Sequence, residues 1–155
     1  MNSNDEVQYR LKLAEGFLTE AEEDYKLKRW RSCVDNAQVS VEDSGKAILT
    51  LFGVSPKTHE PAKHLGKMVN NEQIPDHIRD LIKEILPEFL TLGLEEHFMT
   101  DYGDESTYTL PWELFTAETA DSAFYSARQC YSASAEIVNA VIQWRSKENE
   151  NDESE

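Results

Sequence analysis

Apolar residues recur at helical spacing along most of this 155-residue chain, and no stretch alternates in the manner of a strand. The strongest run is Arg29 to Gly53. There Trp30, Cys33, Val34, Ala37, Val41, Ser44, Gly45, Ile48, Leu51 and Phe52 form a stripe a little wider than one helix face. Gly53 stands where such a helix should stop, because a residue without a Cβ takes the left-handed cap at no steric cost. Gly45 is unusual, since a glycine inside a helix costs about 1 kcal/mol against alanine. Beside Ser44 and Ala47 it predicts a flat spot for a neighbouring helix, and the run reads as the spine of a bundle.

The other elements follow from the same periodicity. Residues 5–27 predict a first helix with its stripe at Leu11, Ala14, Leu18, Ala21 and Tyr25, flanked by Phe17. The turn to the spine must lie near 27–30, and so short a turn makes the pair an antiparallel hairpin. Pro56, Pro61, Gly66 and Pro75 interrupt the next stretch. They leave a short helix over Ala62–Val69 with Thr58 as its N-cap. A third long helix starts at Pro75 or Asp76, kinks at Pro87 and continues to about Phe98. Residues 100–116 read as an irregular excursion pinned by Tyr102, Tyr108, Trp112 and Phe115, or else offering those aromatics to a partner. The last helix spans Ala117–Ser146, capped by Thr116. Its alanines and serines imply close packing, with Ala123–Ala135 lying on the flat spot at Gly45. The expected fold is an all-α antiparallel bundle of four to five helices over residues 1–146, followed by a disordered acidic tail over 147–155.

Charge narrows the functional classes. There are 30 acidic against 15 basic residues, a net charge of −15, and the body without Ser146–Glu155 still carries 25 acids against 14 bases. Such a surface repels phosphate backbones, so RNA or nucleotide binding is disfavoured without a local basic patch. One patch exists, where Lys26, Lys28, Arg29 and Arg31 surround Trp30 at the end of the first helix. Cations there complement the helix dipole; they also make Lys28, Arg29, Trp30 and Arg31, with Tyr108 and Trp112, the candidate partner-binding residues. No run is apolar enough to span a bilayer and the N-terminus has no apolar signal segment, so a cytoplasmic protein is expected. Cys33 and Cys130 lie on different predicted helices and are expected to be buried free thiols in a reducing compartment, with a disulfide as the alternative.

Other chemistry is sparse. His97 stands near Glu95, Glu96, Asp101 and Asp104, which suggests a metal-dependent enzyme, but the spacing matches no standard ligand set and a solvated acidic helix end accounts for it. No metal site and no cofactor is expected. His59 and His64 are five apart and would not share a helix face; His59 is expected to bond backbone in a loop, and His77 to lie on the surface. There is no phosphate-cradling glycine loop and no nucleophile elbow.

Several segments together resemble one family. Ala37-Gln38, then Val41-Glu42-Asp43-Ser44-Gly45-Lys46-Ala47-Ile48-Leu49, is similar to the helix of HEPN domains in which Ala-Gln precedes Glu, Lys-Ala and an apolar run. Gly53, Thr58-His59-Glu60 and His64-Leu65 resemble the family's following Gly, Thr-His and Leu stretch. Tyr102-Gly103-Asp104 stands where many members have Arg-Tyr-Pro-Asp, and the alanine-rich last helix also matches. The likeness covers about residues 8–143. It implies a four- or five-helix bundle that often dimerises. Many such prokaryotic proteins are ribonucleases of toxin–antitoxin or defence systems. Others are non-catalytic partners, often of a small nucleotidyltransferase.

The ribonuclease members carry Arg, four to six residues, then His, which supply a cation at phosphorus and an imidazole to move the 2′-hydroxyl proton. Here no arginine is followed by histidine at that spacing. Between Lys83 and Arg128 there is no lysine or arginine, while residues 84–127 hold ten acids. Enzymatic activity is therefore not expected. The leading expectation is a non-catalytic HEPN-like domain that works by association, as a homodimer or with a nucleotidyltransferase-type partner. The seam of the second and last helices and the acidic loop 95–105 would supply its contacts. The alternative is a divergent HEPN ribonuclease or nucleotide-binding protein, for which Arg128, Tyr102 and His97 are the candidate residues and Arg128 the cation.

Overall fold

The computed structural model describes residues 3–53, 57–93 and 99–154. Its helices are α1 (Ser3–Lys26), α2 (Trp30–Leu51), α3 (Pro61–Met68), α4 (Asp76–Thr91), the single turn α5 (Pro111–Leu114) and α6 (Ala117–Glu153). Among the described residues there is no named strand, only one isolated bridge between Asp104 and Thr109.

α2 is the spine. Its residues from Ala47 to Leu51 are all buried, because α1, α3 and α6 surround it. Cross-helix bonds give the directions. Asn36 donates to Asp24 at 2.8 Å, the Ser40 hydroxyl to the Ala14 carbonyl at 2.7 Å, and Arg10 pairs with Asp43 at 3.6 Å, so α1 and α2 form the expected antiparallel hairpin. Cys33 contacts the Ala120 carbonyl, Ser134 donates to the Ser44 carbonyl at 2.7 Å, and Arg145 donates to the Leu51 carbonyl at 2.5 Å. The sequence numbers rise together along this seam, so α2 and α6 are parallel neighbours. α4 packs antiparallel to α6, with Ser126 donating to Glu88 at 2.8 Å.

Helix ends explain the boundaries. Gly53 takes φ +73° after α2, as expected of a left-handed cap. The last carbonyls of α2 would otherwise be orphaned, and Arg145 serves one of them while lying 5.3 Å from the Phe52 ring. Cys33 and Cys130 are free thiols, fully buried on α2 and α6.

Five expectations change. Gly45 does not meet Ala123–Ala135; its open face receives Pro61 at the start of α3 and Phe89 of α4. It is Ser44, one position around the helix, that faces α6. The seam of α2 and α6 is buried within the chain and offers no contact to a partner. α4 stops at Thr91, two residues before Gly93, rather than near Phe98, and the Thr91 hydroxyl donates to the Pro87 carbonyl at 2.9 Å. Thr58 does not cap α3; its hydroxyl accepts from Glu60 N–H at 3.0 Å, and Glu60 precedes Pro61 at the first helical position. Finally, Lys147–Glu153 is not irregular. α6 continues to Glu153 with its surface exposed, because extending an existing helix needs no new nucleus. Trp144 Nε1 bonding to Glu148 at 3.1 Å ties that extension to the body.

Candidate functional site

The sequence-predicted basic knot lies in the turn between α1 and α2. α1 ends in a paired reversal in which Arg29 N–H bonds to the Asp24 carbonyl at 2.8 Å and Lys28 N–H to the Tyr25 carbonyl at 3.1 Å. Lys28 occupies the left-handed position with φ 60°, which glycine usually fills. This geometry throws Lys28 and Arg29 outward, both exposed. Lys26 is exposed too, but paired with Glu22 at 3.1 Å.

Arg31 has a different task. Its guanidinium donates to the Thr100 carbonyl at 3.1 Å and to the Ser32 hydroxyl at 3.4 Å, and the Thr100 hydroxyl in turn bonds to Asp35 at 3.2 Å. Arg31 therefore fastens the helical turn at residues 99–102 onto α2.

Beyond that turn the chain makes a tight reversal. Asp104 and Thr109 exchange two backbone hydrogen bonds at 2.9 and 3.0 Å. The Asp104 carboxylate accepts from the N–H and the hydroxyl of Ser106, which holds it below the usual carboxylate range. Gly103 is required, because its φ is +69° and a Cβ would fall 2.1 Å from the Thr109 carbonyl oxygen. Tyr108 is also left-handed, at φ 57°. α5 follows, with Pro111 at its first position and the Leu110 N–H bonded to Glu113.

Of the four aromatics read either as pins of this excursion or as a patch for a partner, Phe115 is buried and the other three are not. Tyr102 is 64% exposed, Tyr108 92% and Trp112 71%. Phe115, the Arg31–Thr100 clasp and the 104–109 reversal hold the loop without the other three. Trp112 and Phe115 also join Lys28, Arg29, Trp30 and Arg31 around one open depression of about 410 Å³. Five of the six candidate partner-binding residues thus line one surface, and Tyr108 stands on the reversal that precedes Trp112. Behind the depression runs an aromatic row. Trp30 meets Tyr25 edge-on at 5.5 Å, Tyr25 stacks on Phe124 at 6.3 Å, and Arg128 lies 5.3 Å over the Phe124 ring.

That row accounts for Arg128. It is exposed on α6 and packed on Phe124. Tyr102 is exposed on the 99–102 turn, and His97, with Glu95 and Glu96, lies outside the described residues. Arg128 and Tyr102 thus stand on separate elements, and the contact Arg128 makes is with Phe124. Among the described residues no group of His, Cys, Asp and Glu could hold a metal ion.

A second polar cluster was not foreseen. Glu42 accepts from Lys46 at 3.0 Å and from His59 at 2.9 Å, so His59 bonds a carboxylate rather than backbone and ties the approach to α3 onto α2. The i, i+4 spacing of Glu42 and Lys46 was a legible signal; the arrival of His59 from a loop was not. His77 is exposed, as expected.

No helix among the described residues is long and apolar enough to cross a membrane. The family model of the HEPN domain matches residues 7–141. No curated protein gave a significant match.

Proposed function

The chain belongs to the HEPN domain family, and on that premise we propose that it is a non-catalytic member that acts through protein association. The observation that carries this reading is Trp112, held 71% exposed beside Lys28 and Arg29 on a loop fixed by its own hydrogen bonds. A large exposed indole beside exposed cations is the composition of an interface anchor, since Trp and Arg dominate the binding energy of protein contacts. A rigid loop also loses little conformational entropy on docking. The matching partner surface is acidic with an apolar pocket. In the setting that the family resemblance implies, that partner is a nucleotidyltransferase-type protein of a toxin–antitoxin or defence system in the cytoplasm.

Charge supports the non-catalytic part. No arginine is followed by histidine at ribonuclease spacing, and residues 84–127 carry ten acids and no lysine or arginine. A scissile phosphate would be repelled there. Arg128, the cation that follows this interval, stacks on Phe124.

Two measurements test the proposal. Purified protein incubated with labelled RNA, with and without divalent metal, should leave the RNA intact; cleavage lost in Arg128→Ala would overturn the reading. The product of an adjacent nucleotidyltransferase gene should bind the purified protein, and Trp112→Ala or Arg29→Glu should weaken that binding at least roughly tenfold.

A further inference from the structure

Gly16 sits near the middle of α1, and a Cβ built on it would meet nothing within 4 Å. Glycine weakens a helix interior relative to alanine, and no contact among the described residues uses the space it leaves. Around it α1 carries a second apolar stripe. Tyr9, Leu13, Gly16 and Phe17 recur at i, i+4, i+7 and i+8. They lie away from Val7, Ala14 and Ala21, which enter the core. Tyr9 is 53% exposed, and Leu13 and Phe17 are half-buried without joining the layer packed on the core. With Lys12 and Glu20 these residues line an open groove of about 300 Å³.

The charges select the occupant. Lys12 stands four residues before Gly16 and Glu20 four residues after it, and neither makes an ion pair among the described residues. A second α1 laid antiparallel across Gly16 brings Lys12 of each copy to Glu20 of the other, twice. Laid parallel, it would set lysine against lysine and glutamate against glutamate. The missing Cβ lets the two backbones approach and leaves room for Phe17 of the second copy. Such a patch is complementary to itself and closes after two copies.

We propose that this face of α1 is a self-association surface for a second copy of the chain, with a two-fold axis at Gly16 and reciprocal Lys12–Glu20 pairs. The inference rests on the association reading in that it names the face for the second copy. It shares no residue with the depression at Trp112, so either surface can fail alone.

Light scattering on a sizing column and sedimentation equilibrium across a concentration series test it on the full chain. The parent should dimerise. Lys12→Glu and Glu20→Lys should each weaken the dimer at least roughly tenfold, because each sets like charges opposite one another twice. The double reversal Lys12→Glu/Glu20→Lys should restore it. Gly16→Leu, which a single copy has space to hold, should weaken the dimer without lowering the melting temperature of the monomer. Lys83→Glu, an equal charge change on the exposed face of α4, should leave the dimer intact, as should Trp112→Ala. A parent that stays monomeric, single reversals that remain dimeric, or a double reversal that fails to restore association would each overturn the proposal. So would a monomeric Trp112→Ala variant, which would place the second copy on the other face.

Discussion

A Cβ placed on Gly45 would lie 2.6 Å from the Cβ of Pro61 and 2.7 Å from its Cγ, with the Phe89 ring at 3.2 Å. The proline ring is rigid and opens α3, so it cannot yield without moving that helix. Alanine would gain about 1 kcal/mol of helix propensity and lose about 1–3 kcal/mol to overpacking. Gly45→Ala should therefore melt below the parent, and Gly45→Leu lower still. A higher melting temperature for either would remove the close approach of α2 and α3 from the account of stability.

Cys33 provides a pH prediction. Burial first, then Asp24 and Asp121, push its thiol from 9.0 up to about 12. The folded state thus keeps a proton that the unfolded chain releases. This stabilising contribution is fully present below pH 9 and is lost as pH rises toward 12, with a slope of about 1.4 kcal/mol per pH unit for one such group. Cys130 is raised in the same direction by burial and by Glu88. Chemical denaturation at pH 8, 9, 10 and 11 should show a steeper alkaline loss in the parent than in Cys33→Ala. Equal slopes would mean that the thiol is not protected in the fold.

Lys28 sits in a left-handed cap with a side chain that disfavours it. Lys28→Gly should stabilise the protein by up to about 1 kcal/mol while removing one cation from the depression at Trp112. Thermal melts and partner titration should then move in opposite directions. A destabilised Lys28→Gly variant would indicate that the lysine stem makes packing contacts worth more than the cap strain.

Ser134 and Ser40 each bridge a neighbouring helix to a backbone carbonyl across a buried seam, at 2.7 Å in both cases. Ser134→Ala and Ser40→Ala should each cost about 0.5–1.5 kcal/mol. Because the two bonds reach different neighbours of α2, α1 and α6, and share no donor or acceptor, the double variant should cost about the sum. Urea midpoints at constant m-value report this, and strong non-additivity would show that the two seams are coupled through the spine.

The helical extension Lys147–Glu153 makes little use of the core. Removing residues 147–155 should shift stability by no more than about 0.5 kcal/mol, while lowering the helical circular dichroism signal. A large drop in melting temperature would show that the acidic end braces Trp144 and the top of α2.

Local periodicity and residues close in the chain were enough for the four long helices, the hairpin of α1 and α2, the spine and the family. Val34, Ala37, Val41 and Ile48 must share a helix face whatever surrounds them. The sequence also marked Lys28, Arg29, Trp30, Arg31 and Trp112, since cations clustered around an aromatic are visible in it. What meets what across long separations came from the folded chain. Gly45 showed that something must approach closely, but the choice of Pro61 over Ala123–Ala135 depended on how α3 and α4 fold back, which no local pattern encodes. Likewise the aromatics of the excursion at 100–116 could be read equally as pins or as a patch for a partner. The anchoring is shared by Phe115 in the core, the 104–109 reversal and the long-range bonds of Thr100 to Arg31 and Asp35, 69 and 65 residues away in sequence, and Tyr102, Tyr108 and Trp112 face solvent.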